Sequence, residues 1–453
     1  MLFMMVSCVS NSKKEFSGQK GEIKLIVIDP GHFHAALLQK QMYEQVDPTV
    51  HVYAPDGAEL NQYLKYIEQY NTRSERPTEW LEVVYKGDDF LSKMIAEKKG
   101  NVLITSGNNQ KKTEYIRAAI SAGINVLADK PMAINVDDFT QLTEAFQQAA
   151  EKNLLLYDIM TERFEITNML QKELSLLPEV FGTLKKGTPD DPAVIKESVH
   201  HFMKFASGNP VIRPAWYFDV EQQGEGLVDV TTHLIDLIQW TCFPEVCFDY
   251  TKDVDMLASS RWPTVLSREQ FAQVTGVSDY PAYLKKDVKE DQLHVYANGE
   301  MNYRLRDVHV KLRVVWNYVA PEGTGDTHYS ILRGSKANLI VRQGQEQGYK
   351  PKLYIQPVVD PVAFGNDLTT AFGKLASRFE GISLKKLDGE WEVVIPEKYY
   401  VGHEAHFGQV AENYFRYLTD GKLPEWEVPY MLTKYYTTIQ ASLKAENKIL
   451  LND

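Results

Sequence analysis

The sequence predicts an α/β protein: a Rossmann-type doubly wound parallel sheet, then an α+β domain built on an open antiparallel sheet. Three observations carry this. Between residues 23 and 158, short apolar runs alternate with amphipathic stretches. Those runs are mostly apolar and do not alternate, as strands are when helices cover both faces of a parallel sheet. From about 292 to 355 the pattern changes to alternating runs punctuated by turn residues, the mark of antiparallel strands.

In order, the apolar runs 23–28, 50–54, 81–85, 102–105, 126–128 and 154–157 read as six strands. The stretches 34–46, 56–70, 88–98, 111–122 and 137–151 are the helices between them. A helix over 165–176 follows, then a strand-like VFGTLKKG at 180–187, then a helical stretch near 226–241. The runs QLHVYANGEMNYRL, HVKLRVVWNY, THYSILRG, ANLIVRQG and KLYIQP supply the second sheet. The tail 404–451 is helical again, broken at DGKLPEW. The expected division is 1–22 signal and tether, 23–158 first domain, and 159–453 second domain with its C-terminal helices.

Bulk properties exclude some functions. The 453 residues can bury a large core in two domains. With 49 basic against 61 acidic residues the net charge is −12, so no basic excess exists to neutralise nucleic-acid phosphates. The 25 Tyr and 7 Trp read first as an aromatic-rich core and second as sugar-stacking surface. Three cysteines cannot make a zinc site or a disulfide framework. Cys242 and Cys247 lie in apolar WTCFPEVCF and read as buried free thiols. Cys8, after an apolar run and before a polar stretch, resembles a lipobox. An exported, periplasmic or membrane-anchored lipoprotein is expected, touching membrane only through its lipid; without that signal the protein would be cytoplasmic. Elsewhere no apolar run is long enough to span a bilayer.

Three segments carry chemistry. In KLIVIDPGHFHAALLQ a strand, a turn and a helix start outline a phosphate-cradling turn. Where a dinucleotide site has three glycines, only Gly31 remains; Asp29 and His34 hold the outer positions. In GINVLADKPMAINVDDF, Asp129-Lys130-Pro131 ends a strand at the carboxyl edge of the sheet, where ligands bind. In GEGLVDVTTHLIDLIQW, Asp229 and His233 stand four apart, one helical turn, with Asp236 and Trp240 continuing the stripe. A carboxylate and an imidazole so placed can share a proton near a substrate hydroxyl, and the preceding glycines let backbone approach a ligand. Separately, each segment also reads as an ordinary turn, a surface lysine or a core helix.

Together these motifs resemble the glucose–fructose oxidoreductase / inositol dehydrogenase / MocA (Gfo/Idh/MocA) family over residues 23 to about 240. HFGQVAENYFRYLTDGKLPEW looks like the family's closing helix and turn, and RPAWYFDVEQQGEG like its approach to the catalytic helix. The long middle, 245–400, is similar to the extended Bacteroidetes-type variant. The resemblance implies an NAD enzyme, or an NADP one, acting on a hydroxyl of a sugar, glycoside or polyol. It implies catalysis by Lys130, Asp229 and His233, with His233 taking the hydroxyl proton as hydride leaves for the nicotinamide. Cofactor contacts fall to Gly31, His32, Phe33, Asp56, Ser106, Asn108, Asp129 and Lys130; substrate contacts to Arg213, Trp216, Tyr217 and His233. Asp129 stands for the family's Glu, and Lys112 takes a position often His, so no role is given to it.

The altered glycine turn allows two readings: a shifted phosphate turn using His32 or His34, with Asp29 turned aside to cap the helix, or a pocket that has lost NAD. The intact Lys130–Asp229–His233 set favours retained binding. Export favours a tightly held cofactor. The alternatives are a NAD-dependent glycosidase working by transient oxidation and elimination, and a non-catalytic sugar-binding protein. The family implies a homo-oligomer. His200 and His201, with one able to face a given side, and Asp326, His328, His403, Glu404 and His406 are weaker candidates; no metal site is assigned.

Overall fold

The structure is a computed structural model describing residues 16–206, 209–210 and 212–451, with side chains 205, 206, 209 and 210 excepted. Cys8 and its lipobox lie outside the described residues. Strands β1 (Leu25–Ile28), β2 (Thr49–Ala54), β3 (Leu81–Lys86), β4 (Val102–Thr105), β5 (Asn125–Asp129) and β6 (Leu156–Ile159) form one all-parallel sheet in the order β3-β2-β1-β4-β5-β6. The order reverses between β1 and β4, and the crevice at their carboxyl ends is where such folds bind ligands. The connecting helices are α1 (His34–Leu37), α2 (Ala58–Thr72), α3 (Phe90–Glu97), α4 (Asn109–Ala122) and α5 (Val136–Lys152). Residues of β1, β4, β5 and β6 are buried throughout, which is why their sequences are mostly apolar. At the far edge β3 leaves Leu81 and Val83 exposed.

The helix expected over 34–46 is a single turn, α1, followed by a 3-10 turn, Leu38–Lys40. Side chains from elsewhere take the carbonyls that a longer helix would need. The Tyr43 hydroxyl donates to the Leu38 carbonyl (2.8 Å), Trp80 Nε1 to that of Gln39 (2.7 Å), and Arg73 to that of Lys40.

After α6 (Ile166–Ser175) the expected strand at 180–187 does not form. Gly182 and Gly187 have positive φ (73° and 69°), and the segment makes only the isolated bridges Leu184↔Gly334 and Gly187↔Pro192. The second sheet has ten strands among the described residues and is mixed rather than wholly antiparallel. Its central strand β7 (Val194–Met203) pairs antiparallel with Thr327–Arg333 but parallel with Val308–Val319. The chain between these parallel partners includes α7 (Val220–Gln223) and α8 (Thr231–Cys242), the crossover that a parallel pair needs. Several elements have no counterpart in the sequence reading, among them the edge strand Val254–Leu266, the helices Arg268–Thr275 and Pro361–Arg378, and the hairpin Ser383–Lys386/Trp391–Val394. Pro263 sits in that edge strand, where its missing N–H costs no ladder bond. Cys242 and Cys247 are free, but Cys242 is half-buried and Cys247 exposed, rather than both buried.

The glycines before α8 serve the fold rather than a ligand. A Cβ on Gly226 would lie 2.0 Å from the Ala297 carbonyl oxygen and 2.4 Å from its carbon, so two backbones meet there. Gly226→Ala is therefore expected to cost about 2–3 kcal/mol or prevent folding, read by urea denaturation.

The C-terminal helices, His403–Asp420 and Glu427–Ala445, break near DGKLPEW as expected, with Gly421 at φ 74° ending the first. They pack back onto the first domain. The Tyr414 hydroxyl donates to the Leu155 carbonyl (3.1 Å), and the Tyr414 ring stacks on Tyr157. The Tyr435 hydroxyl donates to Asp158 (2.7 Å). Beneath them lies a buried ionic cluster. Arg163 donates two bonds to Asp236 (2.7 Å each) and a third to Glu427 (2.8 Å). Lys434 pairs with Asp158 (2.7 Å) and Asp236 (3.1 Å). Asp236 is thus a strut joining β6, α8 and the last helix, not part of a ligand-facing stripe.

Candidate active site

The main cavity among the described residues, about 750 Å³, opens between the carboxyl edge of the first sheet, the start of α8, the end of β7 and the start of the helix His403–Asp420. That is ample for a saccharide-sized ligand. Lys130, Asp229 and His233 all line it, although they are far apart in sequence.

β5 delivers Asp129 and Lys130 to the rim, and the Lys130–Pro131 peptide is cis. Lys130 Nζ donates to Asp229 Oδ1 at 2.5 Å, both side chains being largely buried. Gln223 Nε2 donates to the other Asp229 oxygen (3.1 Å). Asp229 therefore shares no proton with His233, whose Nδ1 is buried and without a partner. Nor does Asp229 stand on α8; it belongs to the turn leading into it, since α8 begins at Thr231. Burial, with Lys130 and His403 nearby, pushes the His233 pKa well below the usual imidazole range, so the ring is neutral and able to accept a proton. Lys112 sits beneath the rim, donating to Asn109 Oδ1 (2.5 Å) and the Pro131 carbonyl (3.1 Å), and so holds the turn that aims Lys130. Burial brings its pKa down to about 8.

The phosphate turn answers the question its sequence poses. Asp29, at φ 42°, points inward, and its carboxylate accepts from the Tyr115 hydroxyl (2.7 Å) rather than capping a helix. Three of the turn's N–H groups are spent internally. Gly31 N–H donates to the Asp29 carbonyl (2.7 Å), His32 N–H to that of Ser106 (3.3 Å), and His34 N–H to His32 Nδ1 (3.4 Å). Gly107, missed in the sequence, is required, because a Cβ there would lie 2.5 Å from the Asp29 carbonyl oxygen. Trp216 Nε1 donates to Glu59 Oε1 (2.7 Å), and this pair roofs Gly31: a Cβ on Gly31 would lie 3.3 Å from Glu59 and 3.5 Å from Trp216. Trp216 thus faces the turn, while its expected companions Arg213 and Tyr217 line the cavity, the Arg213 guanidinium lying over the Tyr217 ring.

The other expected cofactor contacts are also engaged. Ser106 Oγ donates to Asp129 (2.9 Å), Asn108 Nδ2 to Gln222 (2.7 Å), and Asp56 is an exposed partner of Lys86 (2.9 Å). Phe33 lines the cavity mouth and is partly exposed. With three of its N–H groups paired, a carboxylate beside Gly31 and an indole above it, the turn admits a dinucleotide pyrophosphate along it only if the Trp216–Glu59 pair moves aside. Trp216→Ala removes the roof, and is expected to bind NAD⁺ or NADP⁺ about tenfold or more tighter than the parent, measured by calorimetry.

The opposite wall is polar and aromatic. Asp326 accepts from Lys204 (2.6 Å) and reaches both neighbouring imidazoles, His201 at 2.9 Å and His200 at 3.3 Å, while only His200 lines the cavity, as the alternation of a strand expects. His200, His328, His403 and His406 line the cavity, as do Trp316, Tyr399 and Tyr400. Glu404 instead points outward to Lys40. Glu162, a cavity residue the sequence reading missed, has its pKa pushed up to about 7 by burial and by Glu165. Nothing in its helix-like surroundings distinguishes it in the sequence.

The fold and crevice define the class: a Rossmann-type domain joined to an open-sheet domain, with the ionisable groups gathered between them. Residues 27–157 match the family model described as "Oxidoreductase family, NAD-binding Rossmann fold", and 170–446 that described as "Putative oxidoreductase C terminal domain". The crystal structure of a "putative oxidoreductase" from Parabacteroides merdae is 56% identical, covers 96% of this chain and 100% of its own, and superposes with a TM-score of 0.95. Two more distant structures share the fold alone. Biliverdin reductase from Synechocystis sp., in complex with biliverdin and NADP⁺, is 12% identical over 94% of this chain and 99% of its own (TM-score 0.56). KijD10, a 3-ketoreductase from Actinomadura kijaniata in complex with NADP and TDP-benzene, is 13% identical over 92% and 95% (TM-score 0.54). No curated protein matches the chain. The chain belongs to the Gfo/Idh/MocA family of oxidoreductases, whose Rossmann domain is of the NAD(P)-binding type.

Proposed function

We propose that the protein is an oxidoreductase acting on a hydroxyl of a sugar, glycoside or polyol, and that His233 and Lys130 handle the hydroxyl proton. One observation carries this reading. A buried lysine ammonium, aimed by Asp229, stands in the same cavity as a neutral histidine with an unpartnered ring nitrogen. Such a histidine accepts a proton, and the ammonium stabilises negative charge growing on the substrate oxygen. Hydrogen-bonding groups interleaved with Tyr217, Trp316, Tyr399 and Tyr400 suit a polyhydroxylated ring with apolar faces. The family's hydride carrier is a nicotinamide; the chemistry supported by this chain's own residues is binding, orientation and proton transfer.

The closed phosphate turn favours a second reading, a sugar-binding protein on the same scaffold. One experiment separates the two. The protein is incubated with a panel of glycosides and polyols, with and without added NAD⁺, and keto-sugar is sought by mass spectrometry. Keto-sugar from the parent but not from His233→Ala supports the oxidoreductase. Calorimetric binding with no keto-sugar, even from Trp216→Ala with NAD⁺, supports the binding protein.

Lipid anchoring through Cys8 is part of the same proposal, and incorporation of labelled palmitate that survives Cys8→Ala would remove it. A homo-oligomer formed through the open face of the second sheet is proposed as well, its check being the mass measured by light scattering.

A further inference from the structure

We propose that His32, His34 and Asp129 form a binding site for a divalent first-row transition-metal ion at the rim of the cavity. The three residues come from two strand ends, the turn after β1 and the last position of β5, and meet at the carboxyl edge of the sheet. One ligand atom from each lies within 4.8 Å of the other two. His34 Nδ1 stands 2.9 Å from Asp129 Oδ2, and His32 Nδ1 stands 4.0 Å from the same oxygen. Metal–ligand bonds of about 2.0–2.2 Å place neighbouring donors roughly 3–3.5 Å apart, between those two separations.

A simple histidine–carboxylate pair accounts for His34 but not for His32. The His32 Nδ1 is met only by the His34 N–H at 3.4 Å, yet it is turned to the same carboxylate oxygen. Supporting bonds fix the carboxylate: Ser106 Oγ donates to Oδ2 (2.9 Å) and Lys130 N–H to Oδ1 (3.0 Å).

Two imidazoles and one carboxylate on one side, with open cavity on the other, is a donor set suited to Fe²⁺, Mn²⁺, Co²⁺ or Zn²⁺ and leaves positions free for an outside ligand. Such an ion would hold a hydroxyl or carbonyl oxygen beside Lys130. The site stands whether the cavity oxidises a sugar or only binds one, since its ligands are not the proton-handling pair.

The test uses untagged full-length protein stripped with EDTA and titrated with Zn²⁺ and Co²⁺, by calorimetry and by the Co²⁺ visible spectrum. One equivalent per chain at micromolar Kd or tighter is expected. His32→Ala and Asp129→Asn should each weaken it at least 100-fold and abolish the cobalt absorption, with His294→Ala, on the second sheet, unchanged. His32→Ala removes the ligand with the fewest contacts, so its folding is checked by an unaltered circular dichroism melt in EDTA. Absence of saturable binding, or equal binding by the parent and by folded His32→Ala, overturns the proposal.

Discussion

Arg163→Met is expected to lower the unfolding free energy by about 3–5 kcal/mol or to yield no folded protein, measured by urea denaturation. The guanidinium is 6% exposed and serves two carboxylates, Asp236 and Glu427, which are themselves 1% exposed. Removing it strands both in a medium that solvates charge poorly. Lys434 remains against Asp236 but does not reach Glu427 among the described contacts, so the loss is only partly offset. The cluster also gives stability a direction in pH. Burial would raise the Asp236 pKa, but Arg163 and Lys434 override it and hold the carboxyl far below its usual range. A depressed folded pKa contributes stability above the unfolded value of about 4, and that contribution drains away as pH falls further. The parent should therefore lose stability on acidification below about pH 4. An Asp236→Asn variant should show a shallower slope there.

Lys130→Met is expected to reduce kcat by about 10²–10⁴-fold while the Kd for a sugar ligand changes much less. The ammonium is the only cation bonded to Asp229 among the described residues, so the variant also leaves a buried carboxylate bare. The double variant Lys130→Met/Asp229→Asn separates these effects. If the lysine acts on the substrate, the double variant regains stability but not turnover. Recovery of turnover in the double variant would reduce Lys130 to a structural partner of Asp229. A pH profile adds a check: His233 is held neutral by burial, so its protonation should not limit turnover until well below pH 6.5.

The first sheet was legible because each buried strand is mostly apolar without period-two alternation, a signal carried by the strand itself. Where the deciding contact lies far off in the chain, legibility ended. The stretch after α1 stops winding at Lys40, where Trp80 and Arg73, 41 and 33 residues on, take the carbonyls of Gln39 and Lys40. The strand expected at 180–187 has the composition of one, but its two positive-φ glycines turn it away from a partner. In the crevice, strand ends and motif spacing brought out Lys130, Asp229 and His233. They did not reveal that Asp229 would pair with the lysine and not the histidine, because that choice depends on where β5 and α8 meet. Period-two alternation separates His200, which lines the cavity, from His201, yet the Asp326 carboxylate, just before the adjoining strand, has two oxygens and reaches both. The place of Trp216 just before α8 predicts a substrate contact. The Glu59 carboxylate that draws it over Gly31 is 157 positions away.

The return of the last two helices onto β6 bears on how the chain is made. β6 is the outer strand of its sheet, and its cover comes from residues 403–445. When the first 160 residues have left the ribosome, the Rossmann half has all its strands but an open flank, which is a ready template for another chain. That flank closes only as synthesis ends. The N-terminal half expressed alone should therefore aggregate, whereas the two halves co-expressed should rescue each other.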